Sequence, residues 1–315
     1  MKLPFSFSIK FIFRFLFPGL IVALAIFPAL RALSDRLCTN IQTEYIITIS
    51  SIVIGWLFTV MDMHIYMALE GRRYWPQWLR NLFQRSEERR LKKYLEKYSK
   101  AKEADRIKYI EISVELRRFP LNNVGEPTAT YPTRLGNLIA SYEEYPLRVY
   151  GMDSIFYWYR IWMAVDEDLR EHIDNQQALA DSAVYMTVAL FIAGLVLSGY
   201  AALQKMQFIL SSGLPDASIL LFMGVIAIGF SKLIYSASLH LHASFGEIYK
   251  SFFDIHKNKV PVDDVIEFIS KLTNNNTMID SSTFEKYKIA WRYMHNYKIK
   301  TKDGVVSAAT FFSED

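Results

Sequence analysis

The stretch VYMTVALFIAGLVLSGYAAL, Val184–Leu203, is twenty residues long and carries no charged side chain. A helix of about 20 apolar residues crosses the hydrocarbon core of a bilayer, and a run this continuous fits a spanning helix better than an alternating strand. Three further stretches share its character: Phe15–Leu33, Ile46–Leu69 and Ala217–Leu239. Four such runs in 315 residues, with dense charge between them, predict an all-α integral membrane protein. The first run follows Lys2, Lys10 and Arg14. Its apolar residues continue past the small residues at 23–25, which favours an anchor over a cleaved leader.

Lysine and arginine set the orientation. The links between runs one and two and between runs three and four hold one basic residue each, Arg36 and Lys205. Residues 71–183 hold nineteen, and the chain after the fourth run holds ten. Both termini and the long middle segment are therefore expected in the cytosol. The predicted layout is an interfacial N-terminus (1–14), a hairpin (15–70), a cytosolic helical insertion (71–183), a second hairpin (184–241) and a helical tail (242–315).

Asp62 and Lys232 lie at similar depth, about 23 Å from the outer boundary, on helices running the same way. Charges inside a span are costly alone, so the two are expected to pair, as packing glue or as part of a gate. His64, His240 and His242 lie near the same inner boundary. With one cysteine in the chain, Cys38, and no acid at ligand spacing beside His240 and His242, no metal site or cofactor is expected. No Walker, GxSxG, HExxH or dinucleotide-loop pattern occurs, so an enzyme is not expected.

Residues 72–108 carry thirteen basic and five acidic side chains, and residues 85–118 contain neither Gly nor Pro. One long helix or two are expected there. Its charge is either a solvated face or a contact for an anionic surface, such as lipid headgroups or a phosphate-bearing ligand. The tail predicts a helix after Pro261 and another whose Ser282 and Glu285 form a capping box, with a turn at 274–276. The phenylalanines of residues 5–17 predict an interfacial helix that could also obstruct a pore.

The segment 131–163, YPTRLGNLIASYEEYPLRVYGMDSIFYWYRIWM, differs in character. Thr133 should cap a helix from Arg134, Gly151 should take a positive φ, and Asp153 or Ser154 should start an amphipathic helix whose aromatics suit the headgroup layer. Arg134, Arg148 and Arg160 either pair with Glu143, Glu144 and Asp153 or bind phosphate, with Trp158 and its neighbours stacking on bases.

The run Pro132–Asn137, Tyr150–Asp153 and Trp158 with Arg160 resembles a segment of bacterial four-span membrane proteins of poorly defined role. The two-hairpin layout also resembles membrane effectors of anti-phage defence, including the channel-forming component of the Hailong system. That resemblance implies a homo-oligomeric pore, closed at rest and opened by a nucleotide or oligonucleotide signal. The competing expectation is a non-conducting membrane scaffold whose basic insertion recruits a cytosolic partner protein. A pore would use Thr48, Ser50 and Ser51 of run two and Thr187, Gly194, Ser198 and Gly199 of run three; a scaffold would not need them.

Overall fold

The computed structural model describes residues 12–36, 41–104, 106–206, 215–273, 278–294, 299–301 and 304–306. The anticipated interfacial helix at 1–11, Cys38 and the turn at 274–276 lie outside them. The described chain is mainly helical, with one short antiparallel hairpin, Ile299–Thr301 with Gly304–Val306, and a non-helical stretch at 117–133 closed by a bridge between Leu121 and Pro127. That hairpin corrects the expectation of an entirely helical tail.

Four helices are long and apolar enough to cross a membrane. The first, α1 (Phe17–Arg36), follows a π-helical turn at Ile12–Leu16. The second expected span is divided. Helix α2 (Thr43–Val60) ends at Met61, whose φ of −89° and ψ of 9° leave the helical region. Helix α3 (Asp62–Leu69) starts immediately after it, so Asp62 sits in a first turn rather than mid-helix. The two other long helices overrun their expected spans. At ~1.5 Å per residue, the 39 residues of α9 (Glu167–Lys205) and the 40 of α10 (Ala217–His256) extend about 60 Å, twice a bilayer core of ~30 Å.

The chain divides into two compact units. Unit 1 comprises residues 1–80 and 173–245. Its contacts run antiparallel between α1 and α2: Gly19 meets Ser51 and Gly55, while Gly55 meets the Phe15 carbonyl. A methyl group at Gly19 would overlap the Ser51 carbonyl oxygen. Helices α9 and α10 approach in the same manner, Gly194 and Ser198 against Gly224, with Ser231 Oγ donating to Thr187 O at 2.8 Å. Small residues let helices approach closely where lipid supplies no hydrophobic drive between them. The core joins Val22, Phe58, Tyr185 and Ala189, while Ile49, Trp56, Phe222 and Leu233 remain exposed.

Unit 2 comprises residues 81–172 and 246–315. Helix α4 (Gln77–Ala104) enters it and pairs with α5 (Arg106–Leu116), giving two helices where one or two were expected. Leu91, Tyr94 and Tyr98 of α4 pack with Leu116, Ile112 and Phe119, and Tyr98 stacks on Tyr109 at 4.7 Å. Next come α6 (Arg134–Glu143), α7 (Tyr145–Tyr150) and α8 (Ser154–Ala164). After α10, a short 3-10 turn leads to α11 (Val262–Thr273) and α12 (Thr283–Met294). The expected cap of α12 is present, with Glu285 N donating to Ser282 Oγ at 3.4 Å. Phe253, Ile266, Ile269 and Tyr287 are buried. Tyr157 OH donates to Tyr287 O at 2.7 Å, and Tyr287 OH to Lys257 O at 2.9 Å.

Because the α1–α2 approach leaves no room for a Cβ, Gly19→Ala should destabilise unit 1 by about 1–3 kcal/mol, the usual cost of overpacking. Thermal unfolding of the detergent-solubilised protein should show a lowered midpoint for Gly19→Ala and an unchanged one for Gly199→Ala, since Gly199 faces open space.

Candidate functional site

Within unit 1, polar groups from the turn before α1 and from α3, α9 and α10 converge on one layer. Arg14 comes from the turn before α1, Asp62 and Tyr66 from α3, Asp181 and Tyr185 from α9, and His242 from α10. Arg14 Nη2 lies 3.1 Å from Asp181 Oδ2 and 3.8 Å from Asp62 Oδ2. One guanidinium therefore bridges carboxylates of two helices. Tyr185 OH donates to Asp62 Oδ1 at 2.5 Å, and Tyr66 OH donates to Asp181 Oδ1 at 2.5 Å. Tyr66 OH also lies 3.2 Å from His242 Nε2. With Tyr66 donating to Asp181, its oxygen is left to accept from Nε2–H. His242 is then a neutral ring with its proton on Nε2. The His242 Nδ1 atom is buried without a hydrogen-bond partner, so a second ring proton would have nothing to bond.

Burial sharpens the arrangement. Asp181 and His242 are 4% and 3% exposed, and Tyr185 is fully buried. A carboxylate so enclosed is tolerated where it is paired and hydrogen-bonded, and Arg14 with Tyr66 supplies both.

This geometry corrects the expected Asp62–Lys232 pair. Ser231 turns inward to bond Thr187 O, which rotates Lys232 away by about 100°. Lys232 is exposed and makes no ion pair among the described residues. His64 is exposed and stacks on Tyr74 at 6.1 Å, separate from His242. Several of the small and polar residues expected to line a pore are instead used in packing. Ser51 is buried and bonds Ile47 O, and Thr187 bonds Ala183 O, each within its own helix, while Gly194 meets Gly224 of the neighbouring helix. Thr48 and Gly199 remain exposed.

Sequence reasoning singled out Asp62 but missed Asp181, Tyr185, Tyr66 and the role of Arg14. The available signal was the spacing of Asp181 and Tyr185, four apart on one helical face at the mouth of an apolar run.

Unit 2 holds the residues expected to sense a ligand. Thr133 caps α6, accepting from Gly136 N at 3.0 Å. Asn137, fully buried, clamps the loop before it. Its Oδ1 accepts from Tyr131 N at 2.9 Å, and its Nδ2 donates to Tyr131 O at 2.8 Å and Thr133 O at 3.0 Å. Arg134 approaches Glu87 at 4.0 Å instead of Glu143 or Glu144. Gly151 takes φ 73° behind α7, and Asp153 caps α8 through Phe156 N at 2.8 Å. Arg160 donates to Phe156 O at 2.7 Å and lies 3.4 Å over the Phe156 ring. Trp158 is not a free stacking platform, since it already stacks on Tyr249 at 4.7 Å and on Trp162 at 5.4 Å. Of the three arginines, Arg148 leaves its Nη1 buried without a hydrogen-bond partner. The motif residues thus serve mainly as caps, clamps and packing. Among the described residues, no group of three or more His, Cys, Asp or Glu could hold a metal ion.

No family model, curated protein or solved structure matches this chain. The functional reading accordingly rests on its own geometry.

Two outcomes follow for unit 2. Replacing Asn137 with Ala strands the Tyr131 and Thr133 backbone groups, and should cost about 2–4 kcal/mol in urea unfolding of the detergent-solubilised protein. The second concerns Glu87, which lies 2.7 Å from Arg90. Burial raises its pKa above the ordinary glutamate value, against the lowering effect of Arg90, Arg134 and Asn137. A raised folded-state value gives a contribution that is full below the unfolded pKa and is lost as pH rises through the folded one. Relative to Glu87→Gln, the wild type should therefore lose stability as pH climbs from about 4.3 toward neutrality. Parallel unfolding midpoints across that range would rule this out.

Proposed function

We propose that the chain is a subunit of a homo-oligomeric channel in the bacterial inner membrane, with both termini and residues 71–183 in the cytosol. The Arg14–Asp62–Asp181 layer is its closed gate. The observation that carries this reading is a single arginine bridging the buried Asp181 of one helix and the half-exposed Asp62 of another at the ends of the apolar helices. Ionisable groups at such a depth are expensive, and they mark ion pathways, relays or switches more often than inert packing. An ion-paired bridge is a two-state element: closed with the guanidinium between the acids, open when it leaves. Two carboxylates against one guanidinium leave residual negative charge, which favours cations. The exposed apolar faces of α2 and α10 are surfaces for lipid or for neighbouring subunits.

Opening is driven by a cytosolic signal, a nucleotide or oligonucleotide or a partner protein. With Arg160 and Trp158 engaged in packing and Arg148 Nη1 buried, Arg134, its side chain 57% exposed, is the arginine of that segment best placed to meet a phosphate. An anti-phage effector role follows the resemblance of the two-hairpin layout and is tested by the same route, through the signal.

The test is single-channel recording in planar bilayers with wild type, Asp181→Asn and Arg14→Gln. Arg14 is 36% exposed, so solvent screens the pair and breaking it costs less than a fully buried one, on the order of 2 kcal/mol, borne by the closed state here. Both variants should therefore conduct without any signal, with open probability raised at least tenfold. Silence from all three proteins, each shown to be folded and oligomeric, in the presence of cell extract or short oligonucleotides, would replace the channel with a non-conducting scaffold.

A further inference from the structure

Helix α4 sorts its charges by face. Its packed face carries Glu87, Leu91, Tyr94 and Tyr98, turned toward α5 and α6. The cations near that face are engaged: Arg90 pairs with Glu87 and lies 4.8 Å over the Phe119 ring. At ~100° per residue, the opposite face presents Leu82, Arg85, Arg89, Lys92, Lys93 and Lys100 within an arc of roughly 100°. All six are exposed, Leu82 at 54%. None of the five cations forms an ion pair among the described residues. Between Leu82 and Lys100, Glu96 is the acid on the arc; it too is exposed, and it pairs with neither Lys92 nor Lys100, each four residues away, among the described residues. A helix needing only solubility would intersperse both signs and pair them at i,i+4. This one holds like charges together over more than 20 Å at ~1.5 Å per residue, at a standing cost in repulsion.

We infer that this face of α4 docks on an anionic phospholipid surface. Three observations select lipid over nucleic acid. The helix begins eight residues after α3, the last piece of the first apolar pair, so chain length keeps its start near the bilayer. An exposed leucine, Leu82, precedes the cations on the same arc and gives that face an apolar group to seat at the headgroup boundary. The helix's tyrosines are turned to the packed face, Tyr98 already against Tyr109, and its exposed tryptophan, Trp78 at 68%, stands at the helix start beside the apolar helices, the place of an interfacial anchor rather than of a stacking platform among the cations. Clusters of four to eight basic residues just cytosolic of a spanning helix bind anionic headgroups through summed, salt-sensitive attraction.

The experiment uses the full chain with Cys38→Ser and Lys93→Cys, placed in discs of pure phosphatidylcholine or of phosphatidylcholine with one third phosphatidylglycerol. Alkylation of the position-93 thiol should slow about fivefold on the phosphatidylglycerol discs, and high salt should abolish the difference. A second chain with Val124→Cys, at a loop position 83% exposed, should react equally on both discs. Adding Arg85→Glu and Arg89→Glu, both at exposed sites, should remove the protection at position 93. Equal rates at position 93 on both discs would overturn the inference. So would protection on phosphatidylcholine discs by a single-stranded oligonucleotide, which would assign the face to nucleic acid. The readout is independent of conductance, so it stands or falls apart from the channel reading.

Discussion

Everything in unit 1 is arranged around the bridge that Arg14 makes between Asp62 and Asp181. Alone, none of these groups is tolerable at the end of an apolar helix; together they close a circuit. Arg14 satisfies both acids, Tyr185 and Tyr66 fill the remaining lone pairs, and His242 completes the chain with its neutral ring. The circuit also fixes the rotation of α3 and α9, because a shift of one residue would carry Asp62 or Asp181 about 100° away from the arginine. The glycine contacts of α1 with α2 and of α9 with α10 set how close the helices come. The charges set which faces meet. A core held by van der Waals packing alone would tolerate several registers, whereas one bridging cation tolerates far fewer.

The same division runs through unit 2. Buried polar groups there are clamps: Asn137 on its loop, Asp153 on α8, and Asp254 accepting from Tyr145 and Tyr150 at 2.8 Å each. Burial first, and the Asp254 hydrogen bond second, hold the Tyr145 phenol well above its ordinary pKa, so it stays a neutral donor. Glu87 shows the opposite balance. Even with Arg90 and Arg134 beside it, lost solvation outweighs attraction. Its role is therefore better read as fixing how Arg90 and Asn137 meet than as a source of stability.

What the sequence made legible follows from how local each signal is. Run length and composition located four spanning candidates, because a helix in lipid needs nothing from distant residues to be recognised. Caps were readable for the same reason. Thr133, Asp153, Gly151 and Ser282 act on backbone within a few positions of themselves. Azimuth was not readable. Depth along two helices put Asp62 level with Lys232, but depth says nothing about which way a side chain points, and Ser231 had taken the inward position. Asp181 and Arg14 escaped notice because both stand just outside the apolar windows, where a charge looks like an ordinary flank. The break at Met61 gave no signal at all, since no Gly or Pro marks it. The terminal hairpin at Ile299–Val306 was likewise hidden within a stretch read as helix.

The arginine-rich segment carries a more general lesson about reading motifs. Residues 131–163 looked unlike the rest of the chain, and unusual composition invites a functional reading. Yet the unusual residues answer unusual backbone demands. A loop with three backbone groups to satisfy needs an Asn, a left-handed turn needs a Gly, and the packed face of an amphipathic helix needs Trp and Arg to fill and stack. The cations of α4 are the converse case. They look like plain positive-inside charge, yet they are the ones the fold leaves unpaired on one face. Whether a charged residue meets something outside the chain is decided by which partners inside it are already taken. On that criterion Arg14 and Arg90 belong to the fold, and Arg85, Arg89 and Lys93 remain available to a surface beyond it.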